Sequence, residues 1–246
     1  MIRGILSATT AMRAQVLNQE IIANNLSNAD TVAYQEDKVT FTSFRDVLMH
    51  RMEFRSQPVP VGWFSNGTVA QDIVTSTETG PIQNTDNPLD IALPPGAYLA
   101  VETPQGTRYT RMGDLRVKDG YLTVSGYTVL GINGPIQVEN YKTCYVSEDG
   151  TVFAGDDEIG KLALYSFTDG ANLRKIGNSL FSPEGSGGNL LESPSLTVGA
   201  LEGSTIDPVY EMASLITSLR SYEAAQKIIQ AHDETLDQAI NRVGRV

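Results

Sequence analysis

Asp207 to Val246 reads DPVYEMASLITSLRSYEAAQKIIQAHDETLDQAINRVGRV, and the spacing of its apolar residues decides the architecture. Met212, Leu215, Leu219, Tyr222, Ile229, Leu236, Ile240 and Val243 recur at alternating intervals of three and four, with Gln226 and Asp233 as the polar members of the series. That spacing predicts a long helix that buries one narrow face against another helix. Asp207 can cap its start, Pro208 suits the first helical position, and Glu211 sits where negative charge meets the positive end of the helix dipole. Arg242 and Gly244 mark the expected stop.

The partner helix is expected at the other end of the chain, over residues 1 to about 28. Ile2, Ile5, Thr9, Met12, Val16, Gln19, Ala23 and Leu26 follow the same alternation, and Leu6 and Ile22 widen the stripe. Thr9 and Gln19 weaken the seam as Gln226 and Asp233 do in the other helix; polar core positions of this kind set register at some cost in stability. Two readings stay open. The helices either pack on their own globular domain, or form a hairpin whose outer faces pack on neighbouring copies. Asn24, Asn25, Asn28 and Asp30 then crowd together, and such side chains compete with the helix for backbone hydrogen bonds, so the helix is expected to end there.

Residues 31–60 read as extended or irregular, anchored by Phe41, Phe44, Val47, Leu48 and Phe54, with Pro58 and Pro60 opposing regular ladder pairing. Beyond residue 61 the signal turns to strands. Asn66-Gly67, Asp119-Gly120, Asn133-Gly134, Asp149-Gly150 and Asp169-Gly170 supply hairpin turns, and Gly185-Ser186-Gly187-Gly188 a loop tip. Between the turns lie short β-branched and aromatic runs: Tyr98 to Val101, Leu115 to Val117, Tyr121 to Leu130 and Leu162 to Phe167. The expected class is α+β: terminal helices pairing as a coiled-coil-like hairpin (1–35 with 206–246), an extended connection (36–60) and a central antiparallel all-β domain (61–205).

Composition excludes several functions. The 246 residues are 41% hydrophobic and 19% charged, ordinary for a folded protein, and the net charge of −11 argues against nucleic acid or an anionic membrane surface as main partner. Cys144 is the single cysteine, so it forms no internal disulfide and no thiol metal cluster; it reads as a small half-buried hydrophobe. No apolar run is long enough to span a membrane, and Ser7, Thr9, Thr10 and Arg13 break up any signal-peptide core, so if the protein leaves the cytoplasm it is expected to do so without a conventional cleaved signal. His50 and His232 are the two histidines, and no nucleophile elbow, phosphate-cradling loop or zinc-binding helix signature is present. Asp156, Asp157 and Glu158 miss the spacing of a calcium loop and read as a solvated turn; the Asn66-Gly67-Thr68 sequon is of a kind frequent by chance. The sequence does not read as an enzyme, and no cofactor or metal is expected.

Blocks distributed along the chain resemble a known family. Ala8-Thr9-Thr10-Ala11-Met12 and Ile22-Ala23-Asn24-Asn25-Leu26-Ser27-Asn28-Ala29-Asp30-Thr31 are similar to the N-terminal signature of bacterial flagellar rod and hook proteins. Asn87 to Leu93, Tyr109 to Leu115, Gly126 to Gly131, Val146 to Val152, Gly199 to Ser204, Glu211-Met212, Arg220-Ser221-Tyr222-Glu223 and the ending Val243-Gly244-Arg245-Val246 follow in the family's order. The resemblance implies a subunit of the flagellar basal-body rod, in which the terminal helices line the core of a helical tube and the β domain lies outside. It implies partners as well: other copies of the chain, other rod subunits, hook or adapter proteins and the flagellar type III export apparatus, with no direct membrane insertion.

The assembly residues expected from stripes and signature together are Ile5, Met12, Val16, Asn24, Asn25, Leu26, Met212, Leu215, Leu219, Tyr222, Ile229, Leu236 and Ile240. The chain departs from the family at Ala33, where glycine is usual, at Gln35, where a basic residue is usual, around Pro94 to Tyr98, and at Thr205, where asparagine is common. The stretch 45–75 is short beside the insertion of hook and many distal-rod subunits, which favours a proximal-rod type, with distal-rod or hook type as the alternative. A soluble β-domain binding module closed by a helical hairpin is the competing reading from another class; it would need an apolar pocket with a few convergent polar groups.

Overall fold

The computed structural model describes residues 2–43, 47–51, 59–64, 67–138, 144–167, 173–177, 179–183 and 188–243. Asn66, Asp169-Gly170, Gly185 to Gly187, Phe44, Phe54, Pro58 and Gly244 to Val246 lie outside them, as does the His50 side chain. The architecture is α+β: an N-terminal helix, a central antiparallel β region and a C-terminal helix. The chain divides into two compact units, one of Met1–Ser27, Asp37–Val74 and Asp207–Val246, the other of Asn28–Glu36 and Thr75–Ile206. The expected division differs from this one: it gave 28–35 and 206 to the helices, set 36–60 apart as a connection and gave 61–74 to the β domain.

In the first unit, α1 (Ile2–Ser27) and α2 (Pro208–Gln238) carry most of the mass, and α2 runs on as a π-helical turn, Ala239–Val243. Asp207 caps α2 as expected: its carboxylate accepts from the backbone N–H of Val209 at 2.9 Å and of Tyr210 at 3.3 Å. α1 ends at the asparagine cluster, where the Thr31 hydroxyl donates to Asn28 Oδ1 at 3.2 Å. The region expected to be irregular contains strands. Asp37–Ser43 pairs with Thr68–Thr75, and Val47–Arg51 pairs antiparallel with Val59–Phe64. Pro60 is accommodated opposite His50, where the register of the second pair shifts, a bulge-like site that relieves the missing N–H.

The second unit is built around the strand Ala97–Thr103. One of its edges pairs with Gly106–Thr110; the other takes Leu164–Ser166 along its first half and Tyr127–Gly131 along its second. Both faces are covered. Leu99 and Val101 join Leu122, Val124, Val129, Val152 and Leu164 in one core, while Tyr98 and Ala100 join Tyr109, Ala163 and Phe181 in another. Burial on two sides explains why Tyr98 to Val101 is a continuous apolar run with no alternation. Tyr98 meets Phe181 and Phe167 edge to face at 5.3 and 5.6 Å between ring centres. Tyr121 to Leu130, expected as one run, is two strands, because Ser125-Gly126 adopts left-handed φ values of 50° and 83° and turns the chain back.

A buried ion pair ties this unit's termini to its sheet. The Arg111 Nε donates to Glu202 Oε2 at 3.1 Å and its Nη1 to the Ala97 carbonyl at 2.8 Å, while Glu202 Oε1 accepts from the Gly80 N–H at 3.0 Å. The Glu202 carbonyl in turn accepts from the Ala33 N–H at 2.8 Å, and Thr205, two residues beyond Gly203, bonds to both Tyr34 and Glu36. Ala33 holds φ at 50°, a left-handed conformation that only glycine adopts without strain. Lys175 clamps the same segment from the sheet edge, donating to the Gln35 carbonyl at 2.7 Å and lying 3.6 Å above the Tyr34 ring. At Gly113 backbone crowding decides the residue, since a Cβ there would sit 1.7 Å from the Ile91 carbonyl oxygen.

Candidate assembly surface on the terminal helices

α1 and α2 lie antiparallel. Gly4 approaches His232 so closely that a Cβ on it would stand 2.4 Å from the imidazole Nε2. The Ser218 hydroxyl donates to Gln15 Oε1 at 2.8 Å, and the Asn25 amide donates to Glu211 Oε1 at 3.2 Å. These three contacts trace the seam. In α2 it runs through Glu211, Leu215, Ser218, Tyr222, Ala225, Ile229, His232 and Leu236, all buried or half-buried. In α1 it runs through Gly4, Ala8, Gln15, Ile22 and Asn25.

The stripe read from the sequence is therefore displaced by one residue over much of its length. Leu215, Tyr222, Ile229 and Leu236 belong to the seam, but Met212, Leu219, Gln226, Asp233 and Ile240 are exposed, Ile240 by 69%. In α1, Ile5, Met12 and Leu26 are half-buried, while Thr9, Val16 and Ala23 face outward. The physical reason is size. Small and polar side chains, Ala8, Ser218 and Ala225 among them, share the contact with Leu215, Tyr222, Ile229 and Leu236 and let the helices approach, and Met212, Leu219 and Ile240 stand beside it. The missed signal was the recurrence of Glu211, Ser218, Ala225 and His232 at every seventh position, hidden because none is a large hydrophobe.

Asn25 is wholly internal, at 1% exposure, and Asn24 lies on the surface. The Asn25 amide group pairs with the Asp37 backbone at both points, donating to its carbonyl at 2.9 Å and accepting from its N–H at 3.2 Å. One side chain thus joins the end of α1, the start of α2 and the first strand.

In an antiparallel pair, one step forward from the seam turns both helices toward the same side. Met12 and Val16 of α1 accordingly meet Tyr222 and Ile229 of α2 in an apolar groove of about 450 Å³, completed by Thr9, Arg13, Leu17 and Glu20. The opposite side carries a groove of about 480 Å³ lined by Gln15, Asn18, Ser214, Thr217, Ser218 and Ser221, with Tyr210 and Ala213 at its edge. The helix pair as a whole has one apolar and one polar face. A second outward stripe, Val209, Met212, Ile216 and Leu219, occupies the first three turns of α2 at intervals of three, four and three, with Val209 72% and Leu219 44% exposed.

Chemistry is sparse elsewhere. Among the described residues no cluster of three or more metal-ligating side chains occurs, and no helix is long and apolar enough to cross a membrane. Burial pushes the Cys144 thiol up from its ordinary value. Asp156 to Glu158 form an exposed turn and strand start.

Comparison with known proteins matches both ends of the chain. The family described as "Flagella basal body rod protein" matches residues 5–35, and the one described as "Flagellar basal body rod FlgEFG protein C-terminal" matches residues 197–242. The chain is similar over its whole length to the flagellar hook-basal body complex protein FlhO of Bacillus subtilis, at 31% identity with both chains fully covered. It is 30% identical to the flagellar basal-body rod protein FlgG of Caulobacter vibrioides, over 95% of this chain and 97% of that one. It is 31% identical to the flagellar basal-body rod protein FlgF of Escherichia coli, over 94% and 95% respectively.

Proposed function

We infer a mechanical function from a premise that the full-length relatives establish: the chain belongs to the flagellar basal-body rod protein family. It is a structural subunit and not an enzyme, it sits in the flagellar basal body within the cell envelope, and it assembles with other rod components. The observation that carries the mechanism is the row of large apolar side chains left outside the helix seam. A subunit that transmits torque needs contacts that do not close on themselves, and the large apolar side chains left bare on the helix pair supply surface for them. We propose that Met12, Val16, Met212, Leu219, Tyr222 and Ile229 form the contact with neighbouring subunits, with Ile5, Leu26, Leu215, Leu236 and Ile240 extending it. In this reading α1 and α2 behave as one coiled-coil-like element. Asn25 acts within the subunit, and Asn24 at its surface.

The proximal-rod type is favoured by the short 45–75 stretch, and relatives named FlgG and FlgF align with the chain almost end to end. Passage through the type III export apparatus is part of the proposal. The soluble-module alternative is not favoured, because the relatives that align with the chain end to end are flagellar basal-body proteins.

The test is Leu219→Asp. An exposed position tolerates the change within about 0.5 kcal/mol, so circular dichroism and melting temperature stay at wild-type values while basal bodies lack the subunit and cells stop swimming. Normal rods carrying Leu219→Asp would remove the proposed contact.

A further inference from the structure

The chain passes between its two units at 27/28, 36/37, 74/75 and 206/207, and on the β side the last three of these exits are bonded to one another. The Glu36 N–H donates to the Thr205 hydroxyl at 2.9 Å, and the Glu36 carbonyl accepts from the Ser76 N–H at 2.7 Å. Glu36 is the last residue before its exit, and Ser76 and Thr205 each stand next to the last one.

Behind the exits the same three segments stay together. The Thr205 N–H donates to the Tyr34 carbonyl at 3.0 Å, and its hydroxyl donates to the same oxygen at 3.4 Å. On the other side the Gly203 N–H donates to the Pro81 carbonyl at 2.7 Å, and Ala200–Glu202 pairs antiparallel with Ile82–Asn84. Residues 200–205 therefore run as the middle ply of a three-ply band, between 33–36 and 80–84. The plies are close: a Cβ on Gly80 would stand 2.2 Å from the Gly203 carbonyl oxygen. Ala33 keeps its left-handed φ of 50° inside this band, and such strain persists where the surroundings over-determine it.

A lone polypeptide crossing rotates about the two soft dihedrals of each residue and passes on no twist. Crossings bonded side by side at the point of exit turn only together. We propose that Thr205 is a positioning residue for torque transmission: its hydroxyl, with Glu36 and Ser76, locks three crossings into one band through which twist reaches the β unit. The proposal rests on the structural-subunit reading above and adds where within the chain the torque passes.

Thr205→Val keeps the shape of the side chain and removes both hydroxyl bonds, whereas Thr205→Ser keeps the hydroxyl. In the purified full-length Thr205→Val protein, the Glu36 amide is expected to exchange hydrogen roughly fivefold faster than in wild type. In cells, Thr205→Val enters basal bodies in wild-type amount and supports swimming in plain medium. In viscous medium its swimming falls at least about twofold, and Thr205→Ser swims as wild type does. Unchanged Glu36 exchange, or wild-type swimming under viscous load, would overturn the proposal. So would loss of Thr205→Val from basal bodies, which would make the hydroxyl a requirement of folding or assembly, or equal impairment of Thr205→Ser, which would trace the effect to volume. Failure of the assembly reading shows separately, as normal incorporation of Leu219→Asp.

Discussion

The two units handle their large apolar residues in opposite ways. In the β unit, Ile91, Leu99, Val101, Leu122 and Leu164 are fully enclosed, and the strand Ala97–Thr103 is covered on both faces. In the helical unit the contact between α1 and α2 is made of Gly4, Ala8, Gln15, Ser218 and Ala225 beside a few larger side chains, and Val209, Met212, Ile216 and Leu219 stand outside it. The first pattern is that of a domain that completes its own core. The second is that of an element whose hydrophobic surface is meant for another molecule, since a contiguous exposed apolar patch marks an interaction site. The β unit supplies a finished body and the helices supply unfinished contacts.

This contrast sets the expected sizes of perturbation. The largest belongs to Arg111→Leu, which leaves the Glu202 carboxylate buried without its cation and costs about 3–5 kcal/mol in the β unit. Chemical denaturation followed by Tyr fluorescence reads it, and a loss below 1 kcal/mol would mean that the pair is dispensable to that core. Asn25→Ala comes next. It removes the links to both Asp37 and Glu211 and is expected to cost about 1–3 kcal/mol in the helical unit, as buried groups left without partners do. Helix melting at 222 nm separates it from the β unit, whose unfolding should be unchanged.

Two smaller effects go in the stabilising direction. Ala33→Gly relieves the left-handed conformation at φ 50° and should add about 1 kcal/mol, measured as a rise in the denaturation midpoint. Asp114 is the smallest case. Burial raises its carboxyl pKa above the ordinary value, Arg116 opposing the shift. The folded state therefore holds the proton more tightly than the unfolded one, and stability falls as pH rises from the unfolded pKa through the folded one. Asp114→Asn should accordingly be more stable than wild type at pH 7, with the advantage vanishing below the carboxylate range. An advantage that persists in acid would point to packing and not to charge.

Much of the fold was legible in the sequence because the relevant physics is local. Asp207 and Pro208 announce the start of α2, the asparagines at 24, 25 and 28 end α1, and Asp119-Gly120, at φ 52° and 78°, makes the expected hairpin. The turn at Ser125-Gly126 was missed because a serine in the left-handed region carries no strong local mark. The helix seam was misplaced by one residue for a reason that goes deeper. Periodicity detects where large hydrophobes are, and here Met212, Leu219 and Ile240 among them mark the face turned outward, whereas the internal contact runs through Ser218 and Ala225 as well as Leu215, Tyr222, Ile229 and Leu236. The role of Asn25 depends on Asp37 and Glu211 together, and a partner 186 residues away leaves no trace in local spacing. The ion pair of Arg111 with Glu202 escaped for the same reason, although both residues lie inside blocks that carried the family resemblance.

The central claim is that the outward stripe of α2 is covered in the assembled rod and bare in the free subunit. Its most direct measurement is maleimide labelling of Leu219→Cys in purified protein and in isolated basal bodies. The account predicts rapid labelling of the free subunit and protection of at least tenfold in the basal body, with the buried Cys144 unlabelled in both. Equal labelling in the two states would show that the stripe stays exposed after assembly, and the contact would have to lie elsewhere.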